Sequence, residues 1–365
     1  MKKVMLVFGT RPEAIKMCPL VLELKKHREI ETVVCVTAQH REMLDSVLEI
    51  FGVVPDYDMN IMKEKQSLFD ITGAILGCMD EILEKEKPDV VLVHGDTTTS
   101  FATALSAFYK RIKVGHVEAG LRTYDIYSPY PEEFNRQAVD IISDYCFAPT
   151  ETSSNNLHGS HSSANRKVYV TGNTVIDALK YTVKDDYSSD VTKWADGSRL
   201  ILITAHRRES LGKPMENMFR AILRVVKENL DVKAVYPVHP NPLVREMADS
   251  ILQGSERIML IPPVNVVDFH NLMNKSYLIL TDSGGIQEEA PGLGKPVLVM
   301  RDVTERPEGI AAGTLKLVGT SEETIYSEFT RLLNDQNEYG RMSKASNPYG
   351  DGHASERIVS ILLSE

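Results

Sequence analysis

Short apolar, β-branched runs recur along this chain, each followed by a stretch with helical spacing. That alternation constrains the fold more than any other feature. Residues 4–8, 32–37, 90–94, 114–117 and 168–170 read as strands in the first half, and 200–204, 233–237, 258–261, 277–281 and 296–300 in the second. Most of these runs are continuously hydrophobic, as strands covered on both faces must be. Helical stretches such as 14–27 and 100–110 lie between them. Strands alternating with helices build parallel sheets through right-handed crossovers.

The rhythm breaks once, in polar stretches at 158–167 and 185–198 that flank a helical segment at 175–183. The expected architecture is α/β, with two doubly wound Rossmann-type domains facing one another across a cleft. Residues 1–172 form the first and 173–365 the second, with the last helix packing back on the first domain. A length of 365 residues suits two domains.

Composition excludes several function classes. A formal net charge of -10 carries no basic footprint for nucleic acid. Cys18, Cys35, Cys78 and Cys146 are far apart and form no C-x-x-C pair, so a zinc site or disulfide framework is not expected. The apolar run after Lys2-Lys3 meets Gly9-Thr10-Arg11-Pro12, too soon for a signal peptide. No run approaches the roughly 18 apolar residues of a membrane helix. The reading is a soluble cytoplasmic protein.

In open parallel sheets, ligands bind beyond the carboxyl ends of the strands. The unusual polar residues fall there. After the first strand, Thr10 and Glu13 form a capping box around Pro12, and Arg11 and Lys16 add positive charge. Spacing alone leaves this either a well-capped helix with solvated cations or an anion site. No G-x-G-x-x-G or G-x-x-x-x-G-K-[ST] occurs, so neither dinucleotide fingerprint nor P-loop is supported. Asp96 follows His94-Gly95 at one strand end, and Glu118 follows Val117 at the next. Neighbouring crossover strands bring these two acids close, and paired carboxylates can act as acid and base. Glu132 opens a helix after a stiff two-proline loop, where an acid is also an ordinary dipole partner.

In the second half, His206 follows a strand, beside Arg207 and Arg208, which can hold phosphate or shift its pKa. His239 reads as part of a turn. Ser283, Gly284 and Gly285 lead from a strand into a helix, a pattern that lets phosphate approach the backbone but also serves a plain N-cap and turn. A loop of alternating charge containing Arg306 follows a further strand. The residues alone therefore point to a two-domain enzyme that binds a phosphorylated ligand.

The stretches GTRPEAIKM, HGDTTTSFA, GHVEAGLRT, PYPEEFNR, TGNTVIDAL, TAHRRES, DSGGIQEEAPGLGKPVL and TERPEG occur in order between residues 9 and 309. The set closely resembles the non-hydrolysing UDP-N-acetylglucosamine 2-epimerases. The resemblance implies a glycosyltransferase-B-like fold, a homodimer, and interconversion of UDP-GlcNAc and UDP-ManNAc without metal or nicotinamide cofactor. By motif match, Asp96, Glu118, Glu132 and His206 correspond to catalytic residues of the family. Arg11 and Lys16 match cleft residues, Phe269 an aromatic near the uracil, and Ser283, Gly284 and Gly285 the diphosphate cradle. Glu289 matches a ribose-binding acid and Arg306 a phosphate-binding arginine. Gln39, His40 and Gln66 match a regulatory UDP-GlcNAc site of bacterial members. Glu42 and Lys65 depart from that pattern, and Tyr124-Asp125-Ile126-Tyr127 departs from the usual loop before Glu132.

Three other readings compete. They are a glycosyltransferase of the same fold, a hydrolysing epimerase that releases free ManNAc, and a non-catalytic UDP-sugar sensor. A sensor would not need Asp96, Glu118 and Glu132 together.

Overall fold

The computed structural model describes residues 1–38, 41–63, 66–158 and 166–365. The chain divides into two compact units, residues 1–181 with 349–365, and residues 182–348.

The first unit holds β1 (Lys2–Phe8), β2 (Ile30–Val36), β3 (Tyr57–Asp58), β4 (Val90–His94), β5 (Lys113–Val117), β6 (Tyr145–Ala148) and β7 (Lys167–Val170). All pair in parallel, in the spatial order β3-β2-β1-β4-β5-β6-β7. The second holds β8 (Arg199–Thr204), β9 (Val232–Pro237), β10 (Ile258–Ile261), β11 (Leu278–Thr281), β12 (Val297–Val299) and β13 (Leu315–Leu317). These are parallel too, in the order β10-β9-β8-β11-β12-β13. Each sheet reverses its winding once, between β1 and β4 in the first and between β8 and β11 in the second. At such switch points the loops diverge and leave a crevice for ligand.

The continuous apolar runs explain the burial. Every residue of β4 and β6 is inaccessible or nearly so, because helices cover both faces of the sheet. Phe8, Met17, Leu20, Leu24 and Phe147 fill one core, and Phe219, Tyr236 and Phe329 another. β3, β6 and β13 are not among the expected strands. They are two, four and three residues long.

The boundary falls after Tyr181, whereas the sequence reading places it at 172/173. The helix Thr174–Thr182 sinks Ala178 into the first unit's core. Asp177 of that helix accepts hydrogen bonds from Ala354 N and Ser355 N, at the start of the helix Ala354–Ser364. Ile358, Val359 and Leu362 of that last helix enter the same core as Phe8. An amphipathic stripe tells that a helix packs, not which sheet it packs on.

Among the described residues no helix is long and apolar enough to cross a membrane. All four cysteines are free. Burial pushes the Cys18 and Cys35 thiols up to about 12, so they are inert packing groups.

Candidate active site

The first switch point is built around Glu13. Thr10 caps the helix Arg11–Leu24, and Glu13 Oε2 accepts from Gly9 N (3.0 Å) and Thr10 N (2.8 Å). Its other oxygen accepts from Thr97 Oγ1 (2.6 Å) and Ser100 Oγ (3.2 Å) in the loop and helix after β4. The capping box is thus also a strap between the two strands that flank the switch point. Burial pushes the Glu13 carboxyl up, and the hydrogen bonds from Thr97, Gly9 and Thr10 work against that. Arg11, at the start of the helix, is exposed.

Asp96 and Glu118 leave the ends of adjacent strands, where His94 on β4 pairs with Val117 on β5. Gly95 takes a left-handed φ of 64°, and a Cβ placed there would lie 3.7 Å from Glu118 Oε1. The turn carrying Asp96 therefore lies against the Glu118 side chain. Asp96 Oδ2 is 2.5 Å from Arg136 Nη2, and Asn135 Nδ2 donates to the Asp96 carbonyl at 2.9 Å.

Glu118 is a non-glycine residue at φ 66°, a strained backbone that persists only where its surroundings enforce it. Its Oε2 pairs with Lys16 Nζ and accepts from Asn173 Nδ2 at 2.8 Å. His94 Nε2 stands 3.7 Å from the same oxygen. Burial drives His94 down to about 3; Glu118 opposes the shift, and Lys16 and His116 add to it. A neutral imidazole thus lies beside a carboxylate held by two donors.

Two neighbouring glutamates separate by environment. Glu132 begins the helix Glu132–Ile142 and is partly exposed. Glu133 is fully buried and accepts from Thr123 N (3.0 Å) and Tyr124 N (3.2 Å), tying the unusual Tyr124–Tyr127 loop to the helix.

Behind these groups lies a buried network. His116 Nδ1 is 2.6 Å from Asp140 Oδ1, and its Nε2 is 2.7 Å from the Gly95 carbonyl. Arg122 Nη2 is 2.7 Å from Asp140 Oδ2. Burial pushes the Asp140 carboxyl up, but His116 and Arg122 outweigh it and hold it below the usual carboxylate range. Its contribution to stability is therefore present above that range and lost as pH falls through and below it. Asp140→Asn is expected to cost about 1.5–3 kcal/mol at neutral pH. It should also flatten the acid side of the stability curve. Urea midpoints of both proteins at pH 7 and near pH 2.5, below the ordinary carboxylate range, test this; parallel curves would contradict it.

The second switch point carries His206 after β8 and Asp282 after β11. Asp282 is inaccessible, and its Oδ2 accepts from His206 N (2.8 Å) and Arg207 N (2.9 Å). The His206 ring stacks on His239, with centroids 5.5 Å apart and planes 15° from parallel. His239, read from sequence as part of a turn, thus packs on a candidate site residue.

Ser283 N donates to Thr281 Oγ1 at 2.9 Å, and Gln287 Nε2 donates to the Ser283 carbonyl at 3.0 Å. At Gly284 a Cβ would meet only Arg207 Nη2, at 3.6 Å, so packing does not demand glycine there. Arg306 is paired with the buried Glu288, not a bare cation. Glu289 Oε2 lies 3.3 Å from His270 Nε2, and Phe269, next to His270, is only partly buried. Arg301 joins Glu209 (2.8 Å) to Glu305 (3.1 Å), and Glu305 lies 3.6 Å from Arg207.

Gln66 is described, with Nε2 donating to the Ile61 carbonyl at 2.6 Å. Gln39, His40 and Lys65 lie outside the described residues. Arg136, Asn173 and Asp282 had no role in the sequence reading. Their common trait, a polar residue beside a strand end or a short motif, is too frequent to single them out.

Two doubly wound sheets, each with charged side chains at its switch point, define a two-unit α/β protein of Rossmann-type architecture. The chain belongs to the UDP-N-acetylglucosamine 2-epimerase family, whose model matches residues 22–363. It is 61% identical over 361 residues to the UDP-N-acetylglucosamine 2-epimerase of Bacillus subtilis (strain 168), covering 99% of this chain and 95% of that one. With the enzyme of the same description from Escherichia coli (strain K12) it shares 55% over 369 residues, 99% and 98% of the two chains. A solved UDP-GlcNAc 2-epimerase from Neisseria meningitidis, bound to UDP-GlcNAc, matches with a TM-score of 0.88 at 52% identity over the whole of both chains.

Proposed function

We propose that this chain interconverts UDP-GlcNAc and UDP-ManNAc without hydrolysis, by eliminating UDP and adding it back. The observation that carries the reading is the arrangement at the first switch point. Two acids leave adjacent strand ends there, each held by a cation, and a third opens the next helix.

The hydrogen on C2, beside an acetamido group, is not acidic enough for simple abstraction near neutral pH. Elimination removes that obstacle. A carboxylate takes the C2 proton, the C2–H electron pair forms the C1–C2 double bond, and the C1–O bond breaks. UDP leaves with the C1–O bonding pair, giving 2-acetamidoglucal. In the second half a proton arrives at C2 from the opposite face as UDP re-forms the bond at C1. Acid/base groups are needed on both faces of the ring. Asp96, Glu118 and Glu132 supply them in this reading, each worth about 10²–10⁴-fold.

Charge building on the departing diphosphate calls for donors. His206, Arg11, Arg306 and the backbone at Ser283, Gly284 and Gly285 take that role. Lys16 holds Glu118, Glu289 faces the ribose and Phe269 the uracil. The enzyme acts in the cytoplasm, where UDP-sugars are made. We also assign it a homodimer, for which the exposed Phe69, Phe108, Tyr109 and Ile141 on helices of the first unit supply apolar surface.

Proton NMR of the purified protein with UDP-GlcNAc in D₂O, without added metal or NAD, tests the chemistry. UDP-ManNAc with deuterium at C2 and no free ManNAc is expected. Accumulation of free ManNAc and UDP would replace this reading with the hydrolysing one. Binding without change would remove the epimerase claim for this substrate.

A further inference from the structure

Asp282 has two carboxylate oxygens in different situations. Oδ2 accepts the backbone N–H groups of His206 and Arg207, which fixes the turn after β8. Oδ1 is buried, has no hydrogen-bond partner among the described residues, and lies 3.4 Å from His206 Nδ1. A buried carboxylate oxygen without a donor is costly, and the imidazole is the donor it faces. A small ring rotation brings the pair within hydrogen-bond range. His206 is held on its other side by the His239 ring, while its side chain remains 40% exposed.

Resting on the reading of His206 as a substrate-facing group, we propose that Asp282 is its positioning residue. Asp282 binds Nδ1–H and so fixes the tautomer that leaves Nε2 bare. With Nδ1 engaged, Nε2 is the nitrogen that takes up a proton from solvent; the imidazolium so formed donates it to a leaving phosphate oxygen and returns to the bare Nε2 form. A histidine oriented from behind by a buried carboxylate is a recurrent solution wherever one ring nitrogen must do chemistry.

Among the described residues, Asp282, His239 and Arg207 are the charged or titratable groups that act on His206. Asp282 comes from the end of β11, His239 from the loop after β9, and Arg207 from its own turn. Tyr236 on β9 donates to the Ala205 carbonyl just before it. Burial holds His206 below the usual imidazole range; Asp282 opposes that, and His239 and Arg207 reinforce it. Removing the Asp282 charge therefore lowers the His206 midpoint further.

Asp282→Asn separates this role from a merely structural one. The asparagine oxygen can still accept both backbone N–H groups, so the turn is retained. Its amide nitrogen then replaces Oδ1 and offers Nδ1 a donor in place of an acceptor, which favours the Nε2–H tautomer. Nitrogen-15 spectra of the ligand-free protein read the tautomer directly. The wild type should show Nδ1–H above its midpoint. Asp282→Asn should show Nε2–H and a midpoint lower by about one unit or more. Turnover should fall about 100-fold or more with KM changed less than about threefold, as expected for loss of a proton-transfer group.

An Nε2–H tautomer in the wild type overturns the proposal without any variant. So does an Asp282→Asn protein whose His206 tautomer and midpoint match the wild type. Failure of the wild type to convert UDP-GlcNAc overturns the epimerase reading and leaves the tautomer result standing.

Discussion

Glu118→Gln is expected to lower turnover of UDP-GlcNAc by about 10²–10⁴-fold while leaving UDP affinity within about threefold of wild type. The side chain keeps its size and can still accept from Asn173. What it loses is the charge opposite Lys16 and the ability to take a proton. The residue sits at φ 66°, so the fold holds a non-glycine in a costly conformation to aim this carboxylate. The loss should fall on kcat, because a proton moved in the transition state contributes little to ground-state binding. The rate of deuterium entry at C2, followed by proton NMR, and UDP titration calorimetry separate the two terms. A kcat within threefold of wild type would remove Glu118 from the acid/base set. A comparable loss in UDP affinity would mean that the substitution had deformed the switch point.

The second large effect is on stability. Gly120 follows Glu118 by two residues and takes φ 86°. A Cβ there would lie 2.1 Å from the Ser153 carbonyl oxygen and 3.0 Å from Leu157 Cγ. The first obstacle is backbone of the helix Glu151–His158, which cannot swing aside as a side chain can. Gly120→Ala combines an unfavourable φ with that overlap, and a cost above about 4 kcal/mol is expected. Urea unfolding of the purified protein measures it, and a midpoint within 0.5 M of wild type would show that the helix yields. Gly52, also at positive φ (63°) but with nothing within 4 Å of a Cβ, is the control, with an expected cost of about 1 kcal/mol.

The two effects have one origin. The Val117-Glu118-Ala119-Gly120 stretch turns at the carboxyl end of β5 with two left-handed residues, Glu118 and Gly120. One aims a carboxylate and the other lets the chain pass under a helix. From sequence, GHVEAGLRT shows only an acid among small residues. The φ values that make Gly120 indispensable and Glu118 unusual arise from β4, β6 and the helix Glu151–His158 closing around the turn.

Legibility in the sequence follows the range of the interaction concerned. The long buried strands, such as β1, β4 and β8, were readable because hydrophobic runs are local and covered on both faces. The capping box at Thr10 and Glu13 was readable for the same reason. Its second role, bonding Thr97 and Ser100, was not, since those donors lie 84 and 87 residues away along the chain. Position at a strand's carboxyl end singled out Asp96, Glu118, His206 and Ser283. It could not separate Glu132 from Glu133, or Glu288 from Glu289. Burial decides those pairs: Glu133 is sealed against the Thr123–Tyr124 backbone and Glu288 against Arg306.

The sequence by itself determined the class of fold, the alternation of its longer strands with helices, and the motifs that mark its family. These rest on periodicity and on short-range chemistry, which neighbouring residues carry. Tertiary structure alone decided which unit receives the helices Thr174–Thr182 and Ala354–Ser364, and which acids are sealed inside and which stay partly exposed. It also set His116, Asn173 and Asp282 beside the candidate site residues. Those outcomes depend on desolvation and on distances between residues remote in the chain, and both come into being only when the sheets close.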